Sequence, residues 1–134
     1  MTTPHPFAYH VAEDPRQTGD DAERAIEAWL QARGLETVAR NFRSRFGELD
    51  LVMNDAEVLA IIEVRYRGPG AYASAAETVT AHKQHRIIQA TRYFLSRHPT
   101  LATRCIRFDV VAVDEGYAQE PRIAWHKAAF NAAG

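Results

Sequence analysis

Residues 47–67, "GELDLVMNDAEVLAIIEVRYR", decide the fold. Two runs rich in Leu, Val and Ile flank "NDAE", whose Asn and Asp suit a tight reversal. The pattern predicts an antiparallel hairpin with strands at 48–53 and 58–66. Into these runs the chain sets two acids, Asp50 and Glu63. Alternate residues of a strand point to opposite faces. Leu49, Leu51 and Met53 therefore share one face, with Glu48, Asp50 and Val52 on the other. In the partner strand, Ile62, Val64 and Tyr66 oppose Ile61, Glu63 and Arg65. Burying the two apolar sets together brings Asp50, Glu63 and Arg65 out on one side. With a four-residue turn, Asp50 faces about Ile61, and Glu63 becomes a diagonal neighbour at roughly 7–8 Å.

Working outward, "TGDDAERAIEAWLQARG" (18–34) predicts a helix. Thr18 or Asp20 caps it, acids fill its first turn and Gly34 ends it. Ala22, Ala25, Ile26, Trp29 and Leu30 recur at helical spacing as its buried stripe, with Glu23 on the shoulder. Residues 1–17 hold three prolines without periodicity and read as a flexible arm before a domain spanning 18–134. "ETVARNFRSR" (36–45) predicts a first strand, and "GPGAYAS" (68–74) a loop. Residues 80–97 predict a second helix, burying Ile87, Ala90, Thr91 and Phe94, with Pro99 beyond its end. "CIRFDVVAV" (105–113) is the strongest strand by β-branched content. "PRIAWHKAAF" (121–130) predicts a short last strand and a turn of helix. The order α-β-β-β-α-β-β implies a single α/β domain, a mixed central sheet flanked by helices.

The chain has 134 residues, 46% apolar and 25% charged, which suits one domain with a real core. Its lone cysteine, Cys105, rules out an internal disulfide, and no apolar run approaches the length of a membrane span. A cytoplasmic protein without membrane partners is the expectation. The formal charge is −1, but residues 33–107 carry twelve basic against seven acidic residues. That imbalance permits phosphate binding on one surface, and equally a solvated mixed surface.

Two carboxylates at the expected separation can converge on one divalent cation. Hard oxygen donors suit Mg²⁺ or Mn²⁺, and such a centre can cleave phosphodiesters. The same spacing also describes surface acids on an exposed sheet face, offset by Arg65 and Arg67. Geometry leaves both readings open.

The motifs "GDDAE", "RNFRSRFGELDLV", "IIEVRYR", "HKQHRI", "RFDVVAV" and "IAWHKAAF" run in this order from about residue 19 to 131. In this the chain resembles the YraN family of bacterial proteins. That family looks like a small restriction-endonuclease-like (PD-(D/E)XK) fold and is similar to archaeal Holliday junction resolvases. The resemblance implies a metal-dependent nuclease acting on DNA, branched DNA included, and resolvases of this kind work as homodimers. Asp50 takes the place of the motif's first acid and Glu63 the second. Glu23 matches a helix glutamate that completes a metal site, to which the backbone carbonyl of Val64 would add. Lys83 in "HKQHRI" matches a helix lysine.

The departure is Arg65, where the family usually has lysine. Arginine keeps the charge and can grip phosphate in bidentate fashion, but it is effectively never deprotonated. Electrostatic stabilisation can survive while proton handling fails, so a nucleic-acid-binding module of impaired activity is the alternative. Fourteen of the sixteen basic residues are arginine, which makes Lys83 stand out as the residue that could replace the missing lysine.

Arg43, Arg45 and Arg67 are the phosphate-contact candidates, with Arg40 behind them. Phe46, Tyr66 and Tyr72 offer rings for stacking, although packing is the commoner fate of aromatics. His82 and His85 have no evident third metal ligand and read as a polar helix face. Asp109 reads as a structural acid that bonds a buried backbone group or arginine, with support of the acidic site from the neighbouring strand as the alternative. Cys105 reads as core.

Overall fold

A computed structural model describes residues 15–67, 79–114 and 122–132, with the side chains of 15–19 and 67 excepted. Most of the 1–17 arm, the 68–74 loop and Tyr72 lie outside that set. The elements are α1 (Pro15–Gln31), β1 (Glu36–Ser44), β2 (Gly47–Asp55), β3 (Val58–Arg67), α2 (Ala81–Arg97), β4 (Cys105–Asp114) and β5 (Arg122–Phe130). The five strands form one sheet in sequence order. All neighbours are antiparallel except β3 and β4, which run parallel. A parallel pair needs a long crossover, and α2 supplies it. The result is a single α/β domain with a mixed sheet and two helices, consistent with a restriction-endonuclease-like fold.

Both faces of the central strands are covered. Ile26 and Leu30 of α1 pack with Leu51, Met53, Ala60 and Ile62. On the other face, Ile87, Ala90 and Phe94 of α2 pack with Val52, Leu59, Ile61 and Phe108. Strand β3 is thus buried on both sides, which is why its apolar run is continuous rather than alternating. Helix α2 follows its sequence signals. The hydroxyl of Thr80 accepts from the Lys83 N–H at 3.1 Å, Arg97 sits in the last turn, and its buried residues are Ile87, Ala90, Thr91 and Phe94.

Several expectations are corrected. Helix α1 begins at Pro15, so Thr18 and Asp20 lie within it rather than capping it, and no acid falls in its first turn. The hairpin turn is two residues, Ala56 and Glu57, with Ala56 at φ 53°. The shorter turn pairs Leu51 with Ile62, and continuing that register sets Asp50 opposite Glu63 instead of diagonal to it. Strict alternation also fails at Asp50. Leu51 packs under α1 whereas Leu49, two residues earlier, packs under α2. Asn41, which continues the β1–β2 register opposite Asp50, has φ 50°, and such a left-handed residue turns the strand locally. The strand therefore swivels at its acid. Cys105 is exposed at the start of β4, and β5 stays extended to Phe130 with no helical turn.

Asp109 has the structural role its position implied, in full. It is entirely buried, yet its carboxylate accepts from Arg107 at 2.8 Å, from the Trp125 indole N–H at 3.0 Å and from the Ala128 N–H at 3.0 Å. The last bond holds an irregularity in β5, where Ala128 has φ 52° and the β4–β5 register slips. Arg107 in turn bonds Asp55 of β2 at 2.8 Å. Removing one partner of a buried charged network leaves the other unpaired, so Asp109→Ala should lower stability by about 3–5 kcal/mol. Urea unfolding of both proteins measures it.

Candidate active site

Four elements send polar side chains to one place. Glu23 lies on α1 one residue past the fully buried Ala22, which fixes the helix against the sheet there. Asp50 sits at the swivel of β2, beyond the last regular β2–β3 backbone pair, Leu51 with Ile62. Its carboxylate replaces the missing ladder bond, accepting the Val64 N–H at 2.9 Å. Glu63 and Arg65 project from β3 toward α2. Lys83 reaches in from the first turn of α2, its place set by the Thr80 cap.

Glu63 is 4% exposed, so the exposed-face reading of the two acids does not hold. The Arg65 guanidinium lies 3.5 Å and the Lys83 ammonium 3.7 Å from the same oxygen, Oε1 of Glu63. Two cations do not suffice to settle this carboxyl. Burial, then the nearby Asp50 charge, push it up to about 8, with Lys83 and Arg65 pulling the other way. Glu23 is likewise pushed up to about 8, by burial and then by Asp50, with Asp20 and Glu48 adding repulsion. Asp50 is thus the hub on which both glutamates press.

One oxygen here is orphaned. Oε2 of Glu23 is buried without a hydrogen-bond partner among the described residues. Buried carboxylate oxygens ordinarily find a donor, and a cation would satisfy this one while offsetting the repulsion among the three acids. The donor set of hard oxygens fits Mg²⁺ or Mn²⁺. No three acidic, His or Cys side chains among the described residues already surround a common point at ligand spacing.

Of the other candidates, Arg43 and Arg45 are exposed at the β1–β2 turn. Arg43 pairs with Glu48 at 3.6 Å, and Arg45 lies over the Phe46 ring at 4.9 Å. Arg40 bonds Glu27 at 2.9 Å and belongs to the structure of α1 against β1. The Arg67 side chain lies outside the described residues. Val64 enters through its N–H. Tyr66 packs against the core under α1, and His82 and His85 are exposed on α2. Sequence reasoning did not assign a role to Glu48, which sits two residues before Asp50 on β2 and repels Glu23. Its parity with Asp50 was the available signal.

The model of the uncharacterised protein family UPF0102 matches residues 22–113, which hold Glu23, Asp50, Glu63, Arg65 and Lys83. The chain belongs to UPF0102. A UPF0102 protein of Halorhodospira halophila is 46% identical over 75% of this chain and 80% of its own. One from Alcanivorax borkumensis is 42% identical over 86% of this chain and 92% of its own. UPF0102 protein YraN of Salmonella newport is 40% identical over 87% and 86% respectively. The UPF0102 match ends within β4, so β5 and its irregularity lie outside it. Among the described residues no helix is long and apolar enough to cross a membrane.

A carboxyl whose folded-state value is raised costs stability once the unfolded chain ionises. The folded state then holds protons that the unfolded state has released, so stability falls as pH rises from about 4.5 toward 8. Without divalent cations, thermal unfolding between pH 5 and pH 8 should therefore show a declining midpoint. Glu63→Gln should flatten the decline, because its amide carries no proton to lose. A slope unchanged by Glu63→Gln would contradict the raised value.

Proposed function

We propose that the protein is a metal-dependent nuclease that hydrolyses phosphodiester bonds in DNA, branched or otherwise structured DNA in particular. The observation that carries this reading is the convergence of Glu23, Asp50 and Glu63 with an unsatisfied, buried Glu23 oxygen. These acids, with the Val64 carbonyl, would hold Mg²⁺ or Mn²⁺. When bound, such an ion supplies charge stabilisation to the phosphate and a more acidic water.

The chain's own residues divide the remaining work. Asp50 fixes β3 through the Val64 N–H, so Glu63 and Arg65 are presented from a backbone that cannot drift. Arg65 and Lys83, both at Glu63, form the positive wall that a phosphate would meet on entering. Attack by water on phosphorus pushes charge onto the non-bridging oxygens, where a guanidinium can grip two at once. Arg65 cannot accept the proton that water loses. Lys83, at the same glutamate, is the residue assigned the missing lysine's part, neutralising the scissile phosphate beside the attacking water. Branched DNA presents symmetric phosphates, which a homodimer would engage in pairs, and the site is expected to work in a cytoplasmic protein.

A second reading rests on the Arg65–Glu63 pairing itself. A guanidinium held on a metal-ligand acid competes with the metal, which would leave a DNA-binding module of low activity. Incubation with labelled branched and linear DNA in Mg²⁺ or Mn²⁺ distinguishes the two. Cleavage should appear, and Asp50→Ala and Glu63→Ala should each reduce it by roughly two orders of magnitude or more. Lys83→Ala should also reduce it. Cleavage gained only with Arg65→Lys would favour the impaired module, and activity untouched by Asp50→Ala would sink the nuclease reading.

A further inference from the structure

The two helices carry opposite charge. Helix α1 holds four acids against two arginines, whereas α2 holds Lys83, Arg86, Arg92 and Arg97 with no acid at all. An overall charge of −1 hides this polarity. Around α2 the cations are not spread evenly. Lys83, Arg86, Ala90, Tyr93 and Arg97 step by three and four residues, which places them on one flank of the helix. From Lys83 to Arg97 that flank is roughly 21 Å long, at 1.5 Å per residue. Its near end is Lys83, at the carboxylate cluster.

The β1–β2 turn lies against the middle of this flank. Gly47 is packed so close that a Cβ there would stand 3.0 Å from the Arg86 carbonyl oxygen. The glycine lets the turn approach and delivers Phe46 to Tyr93, with ring centroids 5.4 Å apart. Arg45 lies over Phe46 at 4.9 Å, and Arg97 bonds the Tyr93 hydroxyl at 3.0 Å. Phe46 and Tyr93 are each partly exposed, while Arg45, Arg86 and Arg97 are exposed. Among the described residues Arg86 has no acidic partner. Cations that follow a groove, interleaved with rings, are the chemistry that grips an unpaired nucleic-acid strand, because every base has a face to stack.

We infer that this flank of α2 and the β1–β2 turn form a track for an unpaired DNA strand. Arg45, Arg86 and Arg97 hold phosphates, Phe46 and Tyr93 stack a base, and the track leads to Lys83. It deepens the nuclease reading and rests on it for the choice of DNA, naming the unpaired segment of a structured substrate as the part that is held. Duplex DNA keeps its bases stacked and would use the cations without the rings.

The test is fluorescence anisotropy of the full chain with a labelled single-stranded oligonucleotide, its duplex and a single-stranded RNA of the same sequence. Chelator is present throughout, so binding is read without cleavage. The single-stranded DNA should bind tightest. Tyr93→Leu should weaken it roughly 5- to 100-fold, with Tyr93→Phe close to the parent protein. Arg86→Gln and Arg97→Gln should each lower the salt slope by about 0.7. Arg92, about 100° round the helix from Tyr93, is the control, and Arg92→Gln should change little. Circular dichroism confirms that each variant is folded. Equal losses from Arg92→Gln and Arg86→Gln, tighter binding of duplex or RNA, or Tyr93→Phe as weak as Tyr93→Leu would each overturn the track. Asp50→Ala separates the two proposals, since it should abolish cleavage and leave this binding intact. Binding without cleavage removes only the nuclease, whereas cleavage indifferent to Arg86, Tyr93 and Arg97 removes only the track.

Discussion

Asp50 and the Val64 N–H are 2.9 Å apart, and the arrangement of the acidic site depends on that bond. Strands β2 and β3 pair regularly up to Leu51 and Ile62, and then β2 turns away. A part-buried N–H abandoned there would cost the folded state, and the side chain of Asp50 takes over from the backbone carbonyl. Fixing Asp50 in this role also fixes a negative charge between α1 and β3. Glu23 and Glu63 must then meet it from either side, and their raised affinity for protons is the consequence. Stability is spent on holding like charges together, which proteins commonly do where chemistry requires it.

The sheet insulates this spending from the rest of the domain. Above and below it, the apolar contacts of α1 and α2 are continuous and ordinary. On the neighbouring strand β4, Asp109 joins Arg107, Asp55 and Trp125 in a network whose charges are compensated. Two buried acids thus have opposite characters. Asp109 is matched by donors on every side, while Glu63 is crowded by another acid and answered by two cations that sit 3.5 Å or more away. Burial alone does not separate the two, but burial with an unmet electrostatic demand does.

Much of this was legible in the residues. Helix α2 was, down to its buried face, because Thr80, Pro99 and the 87/90/91/94 spacing all agree. The hairpin and the convergence of Asp50 with Glu63 were readable from period-two alternation. What alternation could not supply was the swivel at Asp50, since Leu49 and Leu51 look interchangeable in sequence and fall on opposite sides of the sheet. The turn length was misjudged because "NDAE" contains a residue, Ala56, that takes positive φ without being Gly or Asn. Glu23 was placed by helical spacing, yet its orphaned oxygen arises only from the tertiary meeting of α1 with β2. The exposure of Cys105 had no local signal, because it depends on where the crossover from α2 ends.

The irregular residues of β1 and β5 have a bearing on how copies of this chain can meet. Among the described residues, a five-stranded sheet with β1 and β5 outermost leaves two rows of backbone donors and acceptors at its borders. Each border is interrupted: β1 by a register shift near Val38 and by Asn41, β5 by Ala128 anchored on Asp109. An interrupted border cannot offer a long matched run to another strand, and it twists out of plane. Sheet-to-sheet zippering is thereby disfavoured at both borders. Self-association, where it occurs, is left to the helices and loops.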